Sequence, residues 1–188
     1  MTDTALRVSG LPMMAGAVLL GAAIIGISIK PVVNQSFSPL VSTLLMIASV
    51  LLLVSLPGLY ARQATAAGWL GLAGYVLLQV GMVLVVVIAA TPLLYPSLKQ
   101  PAGESPLLFV LGIALTLGLL LTGVATIQAQ VFPRWAGNLI LAAMAGFFFV
   151  FFVAEFLPPI TGQVGSAVFG TLLALGLAWI GLFLFQIH

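Results

Sequence analysis

The chain has 188 residues, of which 63% are hydrophobic and 4% are charged, and its mean hydropathy is +1.34. A soluble domain is about 45–50% apolar and about 25% charged, so five basic and three acidic residues cannot form a soluble surface. The net charge of +2 gives no basic face for nucleic acid, and the absence of cysteine excludes disulfides and thiolate metal sites. The composition therefore predicts an integral membrane protein whose partner is the lipid bilayer.

Six apolar stretches predict an all-α, polytopic bundle of six transmembrane helices in one domain, residues 1–188. Each stretch is about twenty residues long, which is the length that a helix needs to cross about 30 Å of hydrocarbon. None of them alternates apolar and polar residues as the strands of a membrane barrel do. The first stretch has no cleavage motif after it, so we interpret it as a retained helix. The predicted spans are residues 11–29, 40–60, 66–90, 107–129, 135–157 and 165–187.

The predicted connections alternate between two kinds. Residues 61–65 and 130–134 are short turns, whereas residues 30–39, 91–106 and 158–164 form longer, proline-rich loops. Six helices place alternate loops on opposite faces of the membrane, so this division agrees with the count of six.

The basic residues predict the orientation. Arg7, Arg62 and Arg134 lie on the face with the short turns, and Lys30 and Lys99 lie on the other. Because Lys and Arg are enriched on the cytoplasmic side, this distribution predicts cytoplasmic N and C termini in the cell membrane. Aromatic side chains that anchor at headgroups lie at the same ends as the arginines: Tyr60, Trp69 and Trp135.

Small residues recur every four positions along the last span. Lipid tails are as apolar as leucine, so membrane helices associate through close backbone contact at such residues. We interpret the pattern as a packing stripe inside the protomer; the alternative is a seam with a second copy or with a partner membrane subunit. The stripe consists of Gly162, Ser166, Gly170, Ala174 and Ala178.

Few polar side chains fall within the predicted spans. Glu155 is the ionisable one, near the outer end of span five, on the face that carries Lys30 and Lys99. We expect a hydrated or lysine-paired interfacial carboxylate there; the functional alternative is a group that handles protons or cations in an outward-facing vestibule. Gln79 lies near the middle of span three, and we expect it to bond a Ser or Thr on a neighbouring helix.

Phenylalanines crowd the outer half of span five. We expect part of this block to face lipid, and the alternative is that it lines a pocket for an isoprenoid, a quinone or a carotenoid. The block consists of Phe147, Phe148, Phe149, Phe151, Phe152 and Phe156.

The sequence contains none of the common catalytic or nucleotide-binding motifs. Its single histidine, His188, is the last residue, which disfavours histidine-ligated metals, haem and catalytic dyads. We therefore predict no catalytic residue, no metal site and no cofactor.

Two segments resemble a loose group of small, uncharacterised six-helix bacterial membrane proteins. One is Leu56-Pro57-Gly58-Leu59-Tyr60-Ala61-Arg62-Gln63, running into Gly68-Trp69-Leu70-Gly71, and the other is Val131-Phe132-Pro133-Arg134-Trp135-Ala136-Gly137. The resemblance implies a bacterial inner-membrane location. It carries over no activity and no functional residues.

Two hypotheses about function follow from the sequence. The first is a non-enzymatic structural, accessory or regulatory subunit, because polar groups are scarce and small-residue packing surface is extensive. The alternative is a small transporter, a channel or a binder of a hydrophobic ligand, with an outward-facing site near Glu155.

Overall fold

The computed structural model of the chain describes residues 3–29, 38–95, 106–149, 152 and 159–186. Over these residues the fold is all-α, as the composition predicts, and no strand is present. Four of the helices described are long and apolar enough to cross a membrane. The five helices in these ranges are α1 (Asp3–Ile29), α2 (Pro39–Leu94), α3 (Pro106–Ala129), α4 (Arg134–Phe148) and α5 (Pro159–Phe185).

The prediction of six separate helices is wrong in its count, because predicted spans two and three belong to one element, α2. A straight helix of 56 residues would extend about 84 Å, almost three times the thickness of a bilayer core. Instead the chain folds back at Gly68, whose φ is 55° and ψ is −139°. The rings of Tyr60 and Tyr75, on either side of the bend, stack with their centroids 5.1 Å apart. α2 is therefore a helical hairpin with a first arm, residues 39–67, and a second arm, residues 69–94.

The short loop predicted at residues 61–65 is also wrong, because these residues are helical. The reversal is concentrated at Gly68, which lacks a Cβ and can adopt a positive φ without strain. A Cβ placed on Gly68 would meet nothing within 4 Å, so the glycine is required by the backbone conformation and not by lack of space.

Local sequence also explains where α2 begins and where the chain turns between α3 and α4. Ser38 precedes α2, and its hydroxyl accepts a hydrogen bond from the Val41 amide at 3.3 Å, as an N-cap does. α3 ends at Ala129, followed by Gln130 with a φ of 52°. Pro133 then precedes α4. The turn between α3 and α4 thus occupies residues 130–133.

α4 is the shortest of the five helices described. The 15 residues that the structure describes extend about 22 Å, less than the hydrocarbon core of a bilayer. Phe149 and Phe152 continue in π-helical conformation, and the rest of predicted span five lies outside the described residues.

The helices pack in a closed ring. α1 packs between α5 and the first arm of α2, the second arm packs on α3, and α4 packs between α3 and α5. α1 and α5 are antiparallel, since Gly10 lies beside Gly181 whereas Gly21 lies beside Ala174. Where each segment of a bundle runs antiparallel to the next, the first and the last segment are antiparallel if the number of segments is even. The five helices described, with α2 counted as a hairpin, form six segments of the bundle.

Candidate functional site: an apolar cavity in the helix ring

A cavity of about 320 Å³ lies inside the ring, and all five helices contribute to its walls. Packing around a ring leaves space along its axis that only side chains can fill, and here they fill it incompletely. Apart from Ser166, every lining side chain is apolar: Leu20, Ile24, Ile27, Leu45, Met82, Val85, Ile88, Ala89, Leu108, Leu111, Leu115, Leu119, Phe147, Phe169 and Leu173.

The cavity lies in one half of the bundle. Most of its lining comes from the C-terminal half of α1, the C-terminal half of the second arm of α2, residues 108–119 of α3 and residues 166–173 of α5. These are the helix ends that adjoin the three proline-rich loops of the sequence. The candidate residues Lys30, Lys99 and Glu155 belong to this region of the sequence but lie outside the described residues.

Two phenylalanines form the aromatic part of the wall. Phe147 of α4 and Phe169 of α5 are both buried, and their ring centroids are 5.2 Å apart. In the predicted phenylalanine block, Phe147 thus faces the cavity whereas Phe148 is exposed on the outer surface. The block divides between the interior and the outside because successive residues of a helix point about 100° apart.

Two residues of the small-residue stripe, Gly170 and Ala174, pack against α1. A Cβ on Gly170 would lie 2.7 Å from Cγ2 of Ile24, and one on Gly21 would lie 2.7 Å from Cβ of Ala174. Ser166 lines the cavity, Ala178 packs against the core, and the surroundings of Gly162 lie outside the described residues. At Gly170 and Ala174 the last helix thus meets the first within one chain, and the role of the whole stripe stays a prediction.

Gln79 joins the two arms of α2, but its partner is not the Ser or Thr that we expected. Its Nε2 donates to the backbone carbonyl of Leu53 at 3.2 Å. In a regular helix this carbonyl would accept from the residue four positions later, which is Pro57 and has no N–H. Gln79 therefore supplies the donor that the proline removes, in surroundings where an unpaired carbonyl would be costly.

Sequence reasoning missed Gln63, which lies in a predicted loop. Its side chain is 1% exposed, and its Oε1 lies 3.3 Å from the hydroxyl of Thr126 on α3. The Thr126 hydroxyl also donates to the Thr122 carbonyl at 2.8 Å. The spacing of the sequence could have indicated that Gln63 is helical. Residues that the structure buries recur at helical spacing through the predicted loop: Leu52, Leu56, Leu59, Gln63 and Ala67.

The lining limits the chemistry of the cavity. None of the lining residues is titratable, and the described residues contain no group of three or more His, Cys, Asp or Glu that could hold a metal. Such walls can bind an apolar molecule through burial and packing, and they offer no acid, base or nucleophile apart from one serine hydroxyl.

Comparisons of the chain with protein-family models, with curated proteins and with solved structures found no significant match. Inference about function therefore depends on the geometry of the bundle.

The pairing of Gln79 with the carbonyl freed by Pro57 predicts a coupled effect on stability. Gln79→Leu removes the donor, and we expect it to lower the free energy of unfolding by about 1–2 kcal/mol. In a Pro57→Ala background the same change should cost much less, because the alanine introduced there has a backbone N–H that can donate to the Leu53 carbonyl. A double-mutant cycle measured by unfolding in detergent tests this. Equal losses in both backgrounds would contradict the assignment.

The seam between α1 and α5 predicts that a large residue at Gly170 harms the monomer itself. Gly170→Leu should lower the detergent unfolding temperature and reduce the folded yield, because its side chain would overlap Ile24. Ile24→Ala should recover part of the loss by making space. A folded Gly170→Leu monomer with unchanged stability, but with altered oligomer size, would instead place the stripe at a surface between chains.

Proposed function

We propose that the chain crosses the bacterial inner membrane six times, with both termini in the cytoplasm. Four apolar helices of sufficient length support five of these spans, because α2 is a hairpin and counts twice. The sixth is the predicted span at residues 135–157, of which α4 forms the described part. Arg62 and Arg134 are exposed at the same end of the bundle, where Trp69 is 76% exposed. Exposed arginines and tryptophans at one end are typical of a cytoplasmic interface.

The absence of native cysteine makes this topology directly testable. Single cysteines at Thr65 and Arg134 should react with an impermeant maleimide only when the cytoplasmic face is accessible. A cysteine at Lys99 should react from the outside in intact cells. Labelling of Thr65→Cys and Arg134→Cys from opposite faces would contradict six spans, and labelling of both from outside would reverse the orientation.

We further propose that the protein is a non-enzymatic binder of a hydrophobic molecule, held in the cavity of the helix ring. The observation that carries this proposal is the cavity itself. Its volume of about 320 Å³ falls at the lower end of the range of about 300–1,000 Å³ that is typical of ligand pockets. Its apolar walls match an apolar ligand and offer nothing to a charged one.

The other functions considered from the sequence receive less support. The accessory-subunit hypothesis was based on scarce polar groups and extensive small-residue surface, and part of that surface, at Gly170 and Ala174, packs against α1. A transporter or channel for a polar solute needs a polar pathway, whereas Ser166 is the single polar residue of the cavity lining.

A tryptophan placed in the cavity wall would report on binding. The three native tryptophans are replaced by phenylalanine, and Phe169→Trp is introduced as the reporter, with Phe147→Trp as a second version. The protein is placed in phosphatidylcholine nanodiscs and titrated with a bromine-labelled dodecanoic acid, which quenches nearby indole fluorescence. We expect saturable quenching at the cavity position.

A variant that fills the cavity gives the matched control. Ala89→Phe places a ring in the cavity and should weaken the saturable quenching at least tenfold. Val87→Phe adds the same ring on the same arm at an exposed position and should leave it unchanged. Quenching that rises without saturation in both reporters would refute a ligand site in the cavity. Saturable quenching that Ala89→Phe leaves unchanged would also refute it.

A further inference from the structure

The cavity is long in the direction of the bundle axis. Its lining extends along α3 from Leu108 to Leu119, a distance of about 16 Å at 1.5 Å per residue. Its volume of about 320 Å³ is roughly twice the 150 Å³ of an engineered cavity that holds one benzene ring. A compact ring would therefore leave much of the length empty and its walls without contacts.

The two ends of the cavity differ. At one end the lining reaches Ile27 and Leu108, close to the last residue of α1 and the first of α3. At the other end it stops at Leu119 in the interior of α3, and the next turn of that helix carries the buried Thr122. The lining thus ends within the bundle on one side and reaches the helix termini on the other.

Ser166 is the single polar residue in the walls, and the other lining side chains are hydrocarbon or thioether. A buried polar group without a hydrogen-bond partner costs roughly 2–7 kcal/mol, so the polar part of a ligand must lie outside the lined volume. Ser166 is the polar lining residue nearest to the start of α5, at the same outer end. A ligand that matches this change from apolar walls to a polar outer end has its apolar portion inside the cavity and its polar end at the helix termini.

We propose that the cavity holds one linear hydrocarbon chain, the acyl or alkyl chain of a single-chain amphiphile, with its polar end toward the termini of α1, α3 and α5. This inference rests on the proposed function and adds the class of ligand to it. An extended chain contacts the walls of a long apolar space along its whole length, whereas a compact ring system contacts only part of them.

Competition against the bromine-labelled dodecanoic acid distinguishes the two classes. Undecanoic acid and adamantanecarboxylic acid have the same number of carbon atoms and the same carboxylate, but one is linear and the other is a cage. With concentrations expressed as the amount partitioned into the nanodisc, undecanoic acid should displace the probe from the Phe169→Trp reporter at least ten times more effectively. The Phe147→Trp reporter serves if the first variant does not fold.

Each outcome has a distinct meaning. Saturable quenching that the cage compound reverses as well as, or better than, the linear acid would overturn the linear-chain inference and leave the proposed function intact. The absence of saturable quenching in both reporters would overturn both. A lipid-facing reporter, Val168→Trp, should show non-saturable quenching and no difference between the two competitors, since its side chain is exposed on the outside of α5.

Discussion

The fold depends on the close approach of helix backbones at small residues, above all where α5 returns to α1. Lipid provides no hydrophobic force that would drive apolar helices together, so dispersion contacts between closely apposed backbones must hold the ring. At this seam a Cβ on Gly181 would lie 2.8 Å from the Gly10 carbonyl, and Gly21 faces Ala174 with as little room. Closure of this seam turns a row of antiparallel passes into a ring that can enclose a cavity.

Two amide side chains join elements of the bundle through hydrogen bonds. Gln79 donates to the carbonyl that Pro57 leaves without a helical partner, and the buried Gln63 meets Thr126 across the contact between α2 and α3. These interactions lie away from the cavity, whose walls are almost entirely hydrocarbon. The hydrogen bonds between elements and the apolar cavity therefore occupy different parts of the bundle.

Several features of the site were accessible from the sequence and others were not. The stripe through Gly170 and Ala174 could be recognised by its spacing, because helical periodicity alone places these residues on one face. Its partner, α1, could not, since many helices present small residues. The bond from Gln79 to Leu53 follows from the missing N–H of Pro57 once the two arms are known to be adjacent, and that adjacency depends on the reversal at Gly68.

Composition and the length of the apolar runs determined by themselves that the chain is all-α and built for a membrane, because a segment in lipid must satisfy its backbone internally. Only the tertiary structure showed that the chain reverses at Gly68 and not in a turn at residues 61–65, since a reversal at a single glycine leaves the residues beside it helical. It alone also showed the cavity. Residues such as Leu20, Ala89 and Leu119 are ordinary apolar positions in their own helices, and they become the wall of a site only when the closed ring brings them together.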